Sequence, residues 1–287
     1  MQISSDKNTI FSTNQTINCR GKLINFNKAL IMGILNVTND SFFDGGKYNS
    51  EVLWMAHTEK MLKEGADIID IGASSTRPGS KPQTTDEETY TLSPVIKSIR
   101  KEFPDVLISI DTYHAGVAVM AAENGADIIN DISGGEMDIK MFPAIARLKL
   151  PYIMMHMKGK PENMQQNPLY ENLIEEIMLY FADKINQLRL LGVNDIILDP
   201  GFGFGKTVEH NYELLQKLEL FKFHELPILV GFSRKSMINK VLGTTPTEAL
   251  NGTTVLNTIA LLKGANILRV HDVKEAVEAV KLCEMMK

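Results

Sequence analysis

KEGADIIDIG (63–72), AENGADIINDI (122–132) and LKGANILRV (262–270) repeat one unit: a helix end, a glycine, Ala-Asp or Ala-Asn, then an apolar run. Three copies of one helix-to-strand turn argue for a chain built from repeated βα units. Working outward, eight short runs rich in Ile, Val and Leu read as strands: 31–37, 67–73, 107–112, 127–132, 151–157, 195–199, 227–232 and 266–271. They lack clean polar–apolar alternation, as strands buried on both faces do. Between them lie stretches with helical spacing. Residues 51–66 close on Gly65, residues 84–103 carry acids first and bases last, and residues 171–192 end at Gly192. Eight strands, each followed by a helical stretch, predict an α/β fold, a (β/α)8 TIM barrel, over residues 30–287. An open doubly wound sheet is the alternative, because a strand count does not prove closure. Residues 1–29 form an N-terminal extension in which TINCRGKLINF predicts a short β-hairpin around Gly21, placed to plug the barrel floor. No linker or composition shift divides the chain, so one domain is expected.

The runs share a second property: most end in a polar residue of chemical use. ILNVTND (34–40) carries Asn36, IIDIGASSTRPG (68–79) runs into Arg77, LISIDT (107–112) carries Asp111 and DIINDIS (127–133) carries Asn130. IILDPGFGFGK (196–206) carries Asp199, and ILRVHD (267–272) carries Arg269 and His271. In a closed barrel such groups converge at the C-terminal mouth.

Composition narrows the classes of function. Thirty Lys and Arg stand against 35 Asp and Glu among 287 residues, a net charge of −5. Such a balance speaks against nucleic acid or an acidic membrane surface as partner, and an anionic ligand needs a local cluster of cations. Cys19 and Cys283 show no metal-ligand spacing and read as thiols of a reducing compartment. No run approaches the ~18 apolar residues of a membrane span, and the polar N-terminus lacks a signal-peptide core. A soluble cytoplasmic protein is expected.

LDPGFGFGK (198–206) is the strongest single stretch. Asp199 ends its strand, Pro200 bars an immediate helix, and three glycines allow tight turns against a ligand. Phe202 and Phe204 offer a flat ligand an apolar wall, unless they pack in the core. The spacing is not that of a Walker loop. In GFSRKS (231–236), Ser233 and Lys235 point to the mouth while Arg234 suits a structural ion pair. Lys235 serves as a cationic donor or, alternatively, as a Schiff-base amine. Arg269 and His271, two apart on one strand face, and Asn36 beside them in a closed barrel, suit a phosphate or diphosphate. Asn36 could lend an oxygen to Mg2+ there. Asp111, Asn130 and Asp199 form a ring of donors and acceptors able to read a heterocycle, and Met155 is placed to pack on a ligand face. His156 is expected to hold a loop. Two long loops, 39–50 and 73–87, have the composition of lids.

Taken in order, MGILNVTNDSFFDGG (32–46), DIIDIGASSTRPG (67–79), SIDT (109–112), INDISGG (129–135), MHMKG (155–159), ILDPGFGFGK (197–206), GFSRKS (231–236) and RVHDV (269–273) resemble the motifs of the dihydropteroate synthases. The resemblance covers about residues 30 to 280. It implies condensation of 6-hydroxymethyl-7,8-dihydropterin diphosphate with para-aminobenzoate, giving dihydropteroate and diphosphate. It further implies a pterin site at Asp111, Asn130, Asp199 and Lys235 with Arg269 over the ring face. Asn36, Arg269 and His271 would hold diphosphate with Mg2+. Thr76, Arg77 and Pro78, with Phe204, Ser233 and Lys235, would form the aminobenzoate pocket, which sulfonamides occupy. Phe42 and Asp44 would close over it. Asp111, Lys235, Arg269 and His271 carry the catalytic expectation, and a cytoplasmic homodimer is implied. Two positions depart from the family pattern: Asn39 stands where proline is usual, and Ala73-Ser74 where Gly-Glu is usual. Rival readings are a folate-dependent methyltransferase domain, a non-catalytic pterin-binding paralogue and a Schiff-base aldolase.

Overall fold

The structure, a computed structural model, describes residues 16–37, 47–73, 83–159, 164 and 168–286. Two antiparallel strands, β1 (Thr16–Cys19) and β2 (Lys22–Asn25), form the hairpin. The barrel then runs β3 (Leu30–Asn36), α1 (Lys47–Glu64), β4 (Ile68–Gly72), α2 (Thr85–Glu102), β5 (Leu107–Asp111), α3 (Ala115–Glu123), β6 (Ile128–Asp131) and α4 (Met141–Leu148). It continues with β7 (Tyr152–Met155), α5 (Leu173–Leu190), β8 (Ile196–Asp199), α6 (Val208–Gln216), β9 (Leu229–Val230), α7 (Ser236–Leu242), α8 (Leu250–Leu262), β10 (Ile267–Val270) and α9 (Val273–Glu284).

All neighbouring barrel strands pair in parallel, in the order β8-β7-β6-β5-β4-β3-β10-β9. Between β8 and β9 the seam is drawn together by a bridge from Leu198 to Ile228, with Leu198 N donating to Pro227 O at 2.8 Å. The strand expected over 227–232 therefore shrinks to two residues. Pro227 has no N–H to give, and the chain turns after Val230 toward GFSRKS.

The repeated unit has a physical basis. Gly65, Gly125 and Gly264 take φ of +103°, +103° and +99°, which lets each helix end and the chain reverse. The Asx residue two positions later then holds an amide at the start of an adjacent strand or just before it. Asp67 accepts from Ile31 N at 2.8 Å, Asp127 from Ile108 N at 2.9 Å and Asn266 from Ile228 N at 2.9 Å.

Side chains alternate across each strand. One set packs outward against the helices in the main core, as Ile69, Ile71, Ile108, Ile110, Leu198 and Leu268 do. The other faces the barrel axis. Its lowest layer is wholly apolar: Met32, Ile68, Leu107, Ile128, Ile153, Ile197, Leu229 and Ile267. Ile17 and Cys19 of the hairpin join this cluster, so the hairpin does plug the floor. Helix α2 shows how the outer ring is fixed. Thr84 and Glu87 form a reciprocal capping box, and Leu92, Val95, Ile96 and Ile99 are its buried stripe.

Candidate active site

Two residues up from the apolar floor, the axis-facing positions change character. Asp70 on β4, Ser109 on β5, Asn130 on β6 and Arg269 on β10 all follow a floor residue by two and thus share its face. Met155 on β7 and Asp199 on β8 likewise follow floor residues by two and end their strands, and Asp111 on β5 stands two residues above Ser109. Lys235 reaches in from the turn after β9.

Arg269 lies at the centre of this assembly. Its Nε donates to Asp70 Oδ2 at 2.6 Å and its Nη2 to Asp111 Oδ2 at 2.7 Å. Asn130 Nδ2 donates to the same Asp70 oxygen at 3.1 Å. That bond fixes which way the Asn130 amide points, leaving its carbonyl oxygen as the acceptor it can present. Asp70 is fully buried, and its other oxygen, like Ser109 Oγ, has no hydrogen-bond partner among the described residues. Buried acceptors and donors left open are costly in a finished structure and mark where something else is to bind.

Burial raises the Asp111 carboxyl to about 7 against the pull of Arg269, and Asp70, Asp131 and Asp199 push the same way. Burial also raises Asp199, opposed by Lys235. Arg269 keeps its proton more firmly than a free guanidinium: burial disfavours its charge, but Asp70 and Asp111 outweigh that. Lys235 is brought down to about 8 by burial, opposed by Asp199. Nothing in GFSRKS (231–236) itself signals that desolvation. The lysine Nζ nevertheless donates to Phe202 O at 2.5 Å and lies 4.8 Å from the Phe204 ring centre, the surroundings of a held cation.

The two phenylalanines part company. Phe204 faces the mouth with Met155, Met157, Met164, Ile132, Tyr113 and Met137, a soft apolar wall. Phe202 is fully buried against Phe232, with ring centres 4.5 Å apart, so it adds nothing to that wall. The stretch is a glycine turn rather than a strand, and residues two apart need not share a face.

Ser233 Oγ accepts from His271 N at 3.2 Å, tying the turn after β9 to the end of β10. Arg234 pairs with Asp272 at 2.6 Å, as its expected structural role requires. His271 keeps an exposed edge, but partial desolvation of its ring, together with Arg269 and Arg234, lowers it to about 4. It is therefore a neutral imidazole at pH 7, a hydrogen-bonding group rather than the cation a diphosphate cradle would use. Asn36, exposed at the end of β3, stands beside β10. His156 is buried and held neutral, first by desolvation and then by Lys206, whose Nζ lies 3.0 Å from His156 Nδ1. It does hold a loop. Phe42, Asp44, Thr76, Arg77 and Pro78, with the departures Asn39 and Ser74, lie outside the described residues.

The sequence reading missed Asp70, Ser109 and Lys206. Asp70 and Ser109 sit two residues before Gly72 and Asp111, and counting in twos back from the strand ends would have found them. His57 on α1 lies near enough to His271 to lower its proton affinity, and no sequence signal announced it.

A mouth that joins buried carboxylates, an amide, two cations and a sulfur-rich wall suits a flat, amino-substituted heterocycle carrying an anionic arm. The family described as "Pterin binding enzyme" matches residues 32–271. The dihydropteroate synthase of Escherichia coli K12 is 43% identical over 267 residues, covering 92% of this chain and 94% of that protein. This chain belongs to the dihydropteroate synthase family of pterin-binding enzymes. Another family member, from Clostridium beijerinckii, is 43% identical over 90% of this chain and 94% of its own length. Among solved structures, a Yersinia pestis dihydropteroate synthase in a sulfonamide drug complex superposes with TM-score 0.89 at 42% identity, covering 95% of this chain and 99% of that one. The Xanthomonas albilineans synthase with 4-aminobenzoic acid gives 0.88 at 32% identity, covering 96% and 98%. As a dihydropteroate synthase the chain is a transferase of folate biosynthesis, and the methyl-transfer, non-catalytic and aldolase readings are set aside on that membership.

Proposed function

We propose that the barrel mouth binds 6-hydroxymethyl-7,8-dihydropterin diphosphate by its ring and holds para-aminobenzoate above it, and that dihydropteroate and diphosphate leave. One observation carries the reading: a ring of Asp70, Asn130, Arg269, Asp111 and Asp199 on the barrel axis, directly above an apolar floor. A pterin edge offers amino and ring N–H donors beside a carbonyl, and carboxylates with an oriented amide oxygen complement it.

In the reaction the bond between the methylene carbon and the diphosphate oxygen breaks, and its electron pair leaves with the diphosphate. The electron-rich dihydropterin ring spreads the positive charge that remains. Asp70, Asp111 and Asp199 face Arg269 and Lys235 there, and Asp111 in its ionised form places negative charge beside that ring. The lone pair of the aminobenzoate nitrogen forms the new C–N bond, and the nitrogen loses a proton. An aromatic amine is nucleophilic enough to need no strong base. Arg269, neutral His271 and Asn36 serve the leaving group by hydrogen bonds.

Mg2+ fits as an ion brought with the substrate. Among the described residues no cluster of three or more His, Cys, Asp or Glu could hold a metal by itself. Asn36 supplies a single hard amide oxygen, and Mg2+ commonly binds through one or two protein oxygens plus phosphate and water. When bound there it neutralises diphosphate charge.

The chain is read as one barrel domain, working in the cytoplasm as a homodimer. Supporting this are its net charge of −5, the absence of a disulfide at Cys19 or Cys283, and apolar side chains exposed on α7 and α8, among them Val241, Leu242 and Val255. Among the described residues no helix is long and apolar enough to cross a membrane.

The deciding assay supplies pterin diphosphate, Mg2+ and labelled aminobenzoate to purified protein. Labelled dihydropteroate is expected; its absence from folded protein would refute the reading.

A further inference from the structure

The glycine-rich turn 200–205 supplies Asp199's neighbours, the Phe204 ring and the carbonyl that holds Lys235, yet it has few side chains with which to hold itself. Gly201, Gly203 and Gly205 take φ of +72°, +83° and +59°. Its shape must be set by partners of its peptide groups. Several are plain. Gly201 N donates to Asp199 Oδ1 at 2.8 Å, Gly203 N to Asn211 Oδ1 at 2.7 Å, and Tyr170 Oη to Gly205 O at 2.8 Å. The carbonyls of Gly201, which also accepts from Phe204 N at 3.1 Å, and of Phe204 converge on Lys206 Nζ, at 3.0 and 3.1 Å.

Lys206 is 3% exposed and makes no ion pair within salt-bridge distance among the described residues. Burying a lysine head in that way costs free energy, which the acceptors around it and the nearby Asp199 carboxylate offset. Its three nearest acceptors are Gly201 O, Phe204 O and His156 Nδ1, with His156 O a longer fourth at 3.4 Å. The loop also lies hard against the chain beyond β7, since a Cβ on Gly201 would come within 1.9 Å of His156 O. The turn thus wraps a buried head group on one side. On the other it offers Phe202 O to Lys235 and Phe204 to the mouth.

We propose that Lys206 is a positioning residue of the synthase reaction: gathering the Gly201 and Phe204 carbonyls, it shapes the turn that presents Asp199, Phe204 and Lys235 to the substrates. It hydrogen-bonds no side chain of the mouth, though it lies within electrostatic reach of Asp199 and Lys235. The inference rests on the proposed reaction, which supplies its assay.

Three variants test it. Lys206→Met keeps the stem and removes the donors, Lys206→Ala opens room for a small amine, and Lys206→Arg keeps the charge on a planar fork that cannot meet three converging acceptors. KM for each substrate and kcat are measured together with circular dichroism and thermal midpoint. Folded Lys206→Met is expected to lose kcat/KM for the pterin diphosphate on the order of 100-fold, the scale of a small misplacement of reacting groups. Methylammonium is expected to restore part of that loss in Lys206→Ala, and tetramethylammonium, which has no N–H, is not. Wild-type kinetics in folded Lys206→Met overturn the proposal, as does equal rescue by both ions. Should the Met and Ala variants fail to fold, Lys206→Arg decides: raised KM supports the assignment and unchanged KM and kcat overturn it. Wild-type protein is assayed in parallel. No turnover there defeats the reaction itself, whereas normal wild-type turnover with indifferent variants defeats only the role of Lys206.

Discussion

The two ends of this barrel use polar residues in opposite ways. At the floor, the polar groups that tie hairpin, helices and strand starts together are paired. Arg100 donates to the carbonyls of Pro104, Val106 and Gly125 and pairs with Asp127 at 2.5 Å, while the same Asp127 oxygen accepts from Ile108 N. Asp195 accepts from Asn18 N, and Arg20 donates to the carbonyls of Ala122 and Ala126, fastening the hairpin. At the mouth, Asp70 Oδ1 and Ser109 Oγ are open, and carboxylates outnumber cations. The floor is finished by folding. The mouth is finished by substrate, and a site held ready in this way costs stability that the floor must offset.

Substitutions should therefore separate activity from stability by position along the barrel axis. Asp111→Asn is expected to have the largest effect: diphosphate release without aminobenzoate should slow by about 100-fold or more, the scale of losing one preorganised electrostatic group. An unchanged rate would remove Asp111 from the chemistry. Arg100→Met should instead cost about 3 kcal/mol of stability in urea melts, as breaking a largely buried pair does, with kcat unchanged. If kcat falls in folded protein, the two ends are not independent. Asp70→Asn belongs to the mouth. It should raise KM for the pterin diphosphate about tenfold, as loss of one charge-assisted hydrogen bond does, with a smaller stability loss than Arg100→Met because Arg269 keeps Asp111 as its partner. A collapse of stability would make Asp70 a floor-type residue. The smallest effect is on pH. Lys235 loses its proton as pH rises through about 8, and Asp111 gains one as pH falls through about 7, so kcat/KM should peak between them. Replacing Lys235 by Arg should abolish the alkaline limb. His271, titrating at about 4, should add no break near neutrality, and a His271→Gln profile that differs in shape above pH 6 would contradict that.

Much of this contrast is legible in the residues. The strands were placed by their Ile, Val and Leu runs, and the βα repeat by its glycines, because those signals are local. Asp70 escaped attention because it lies inside an apolar run, where an acid is visible only once the floor layer shows which parity faces the axis. Phe202 was ambiguous because a turn has no fixed period. The desolvation of Lys235 depends on what Asp199, Arg269 and Phe204 do around it, which no stretch of nine residues contains. The seventh strand was read too long because its apolar run continues past the point where Pro227 and Gly231 end the ladder.

Asp67, Asp127 and Asn266, each clasping an amide at or just before the start of a neighbouring strand beside the barrel floor, have an importance beyond stability. Adjacent strands could in principle slide by one residue, and such a slip would send Asp70, Asn130 and Arg269 outward among the helices and bring Ile69, Ile129 and Leu268 inward. The clasps act as an index pin: far below any substrate, they help decide which half of the strands they join the substrate will meet.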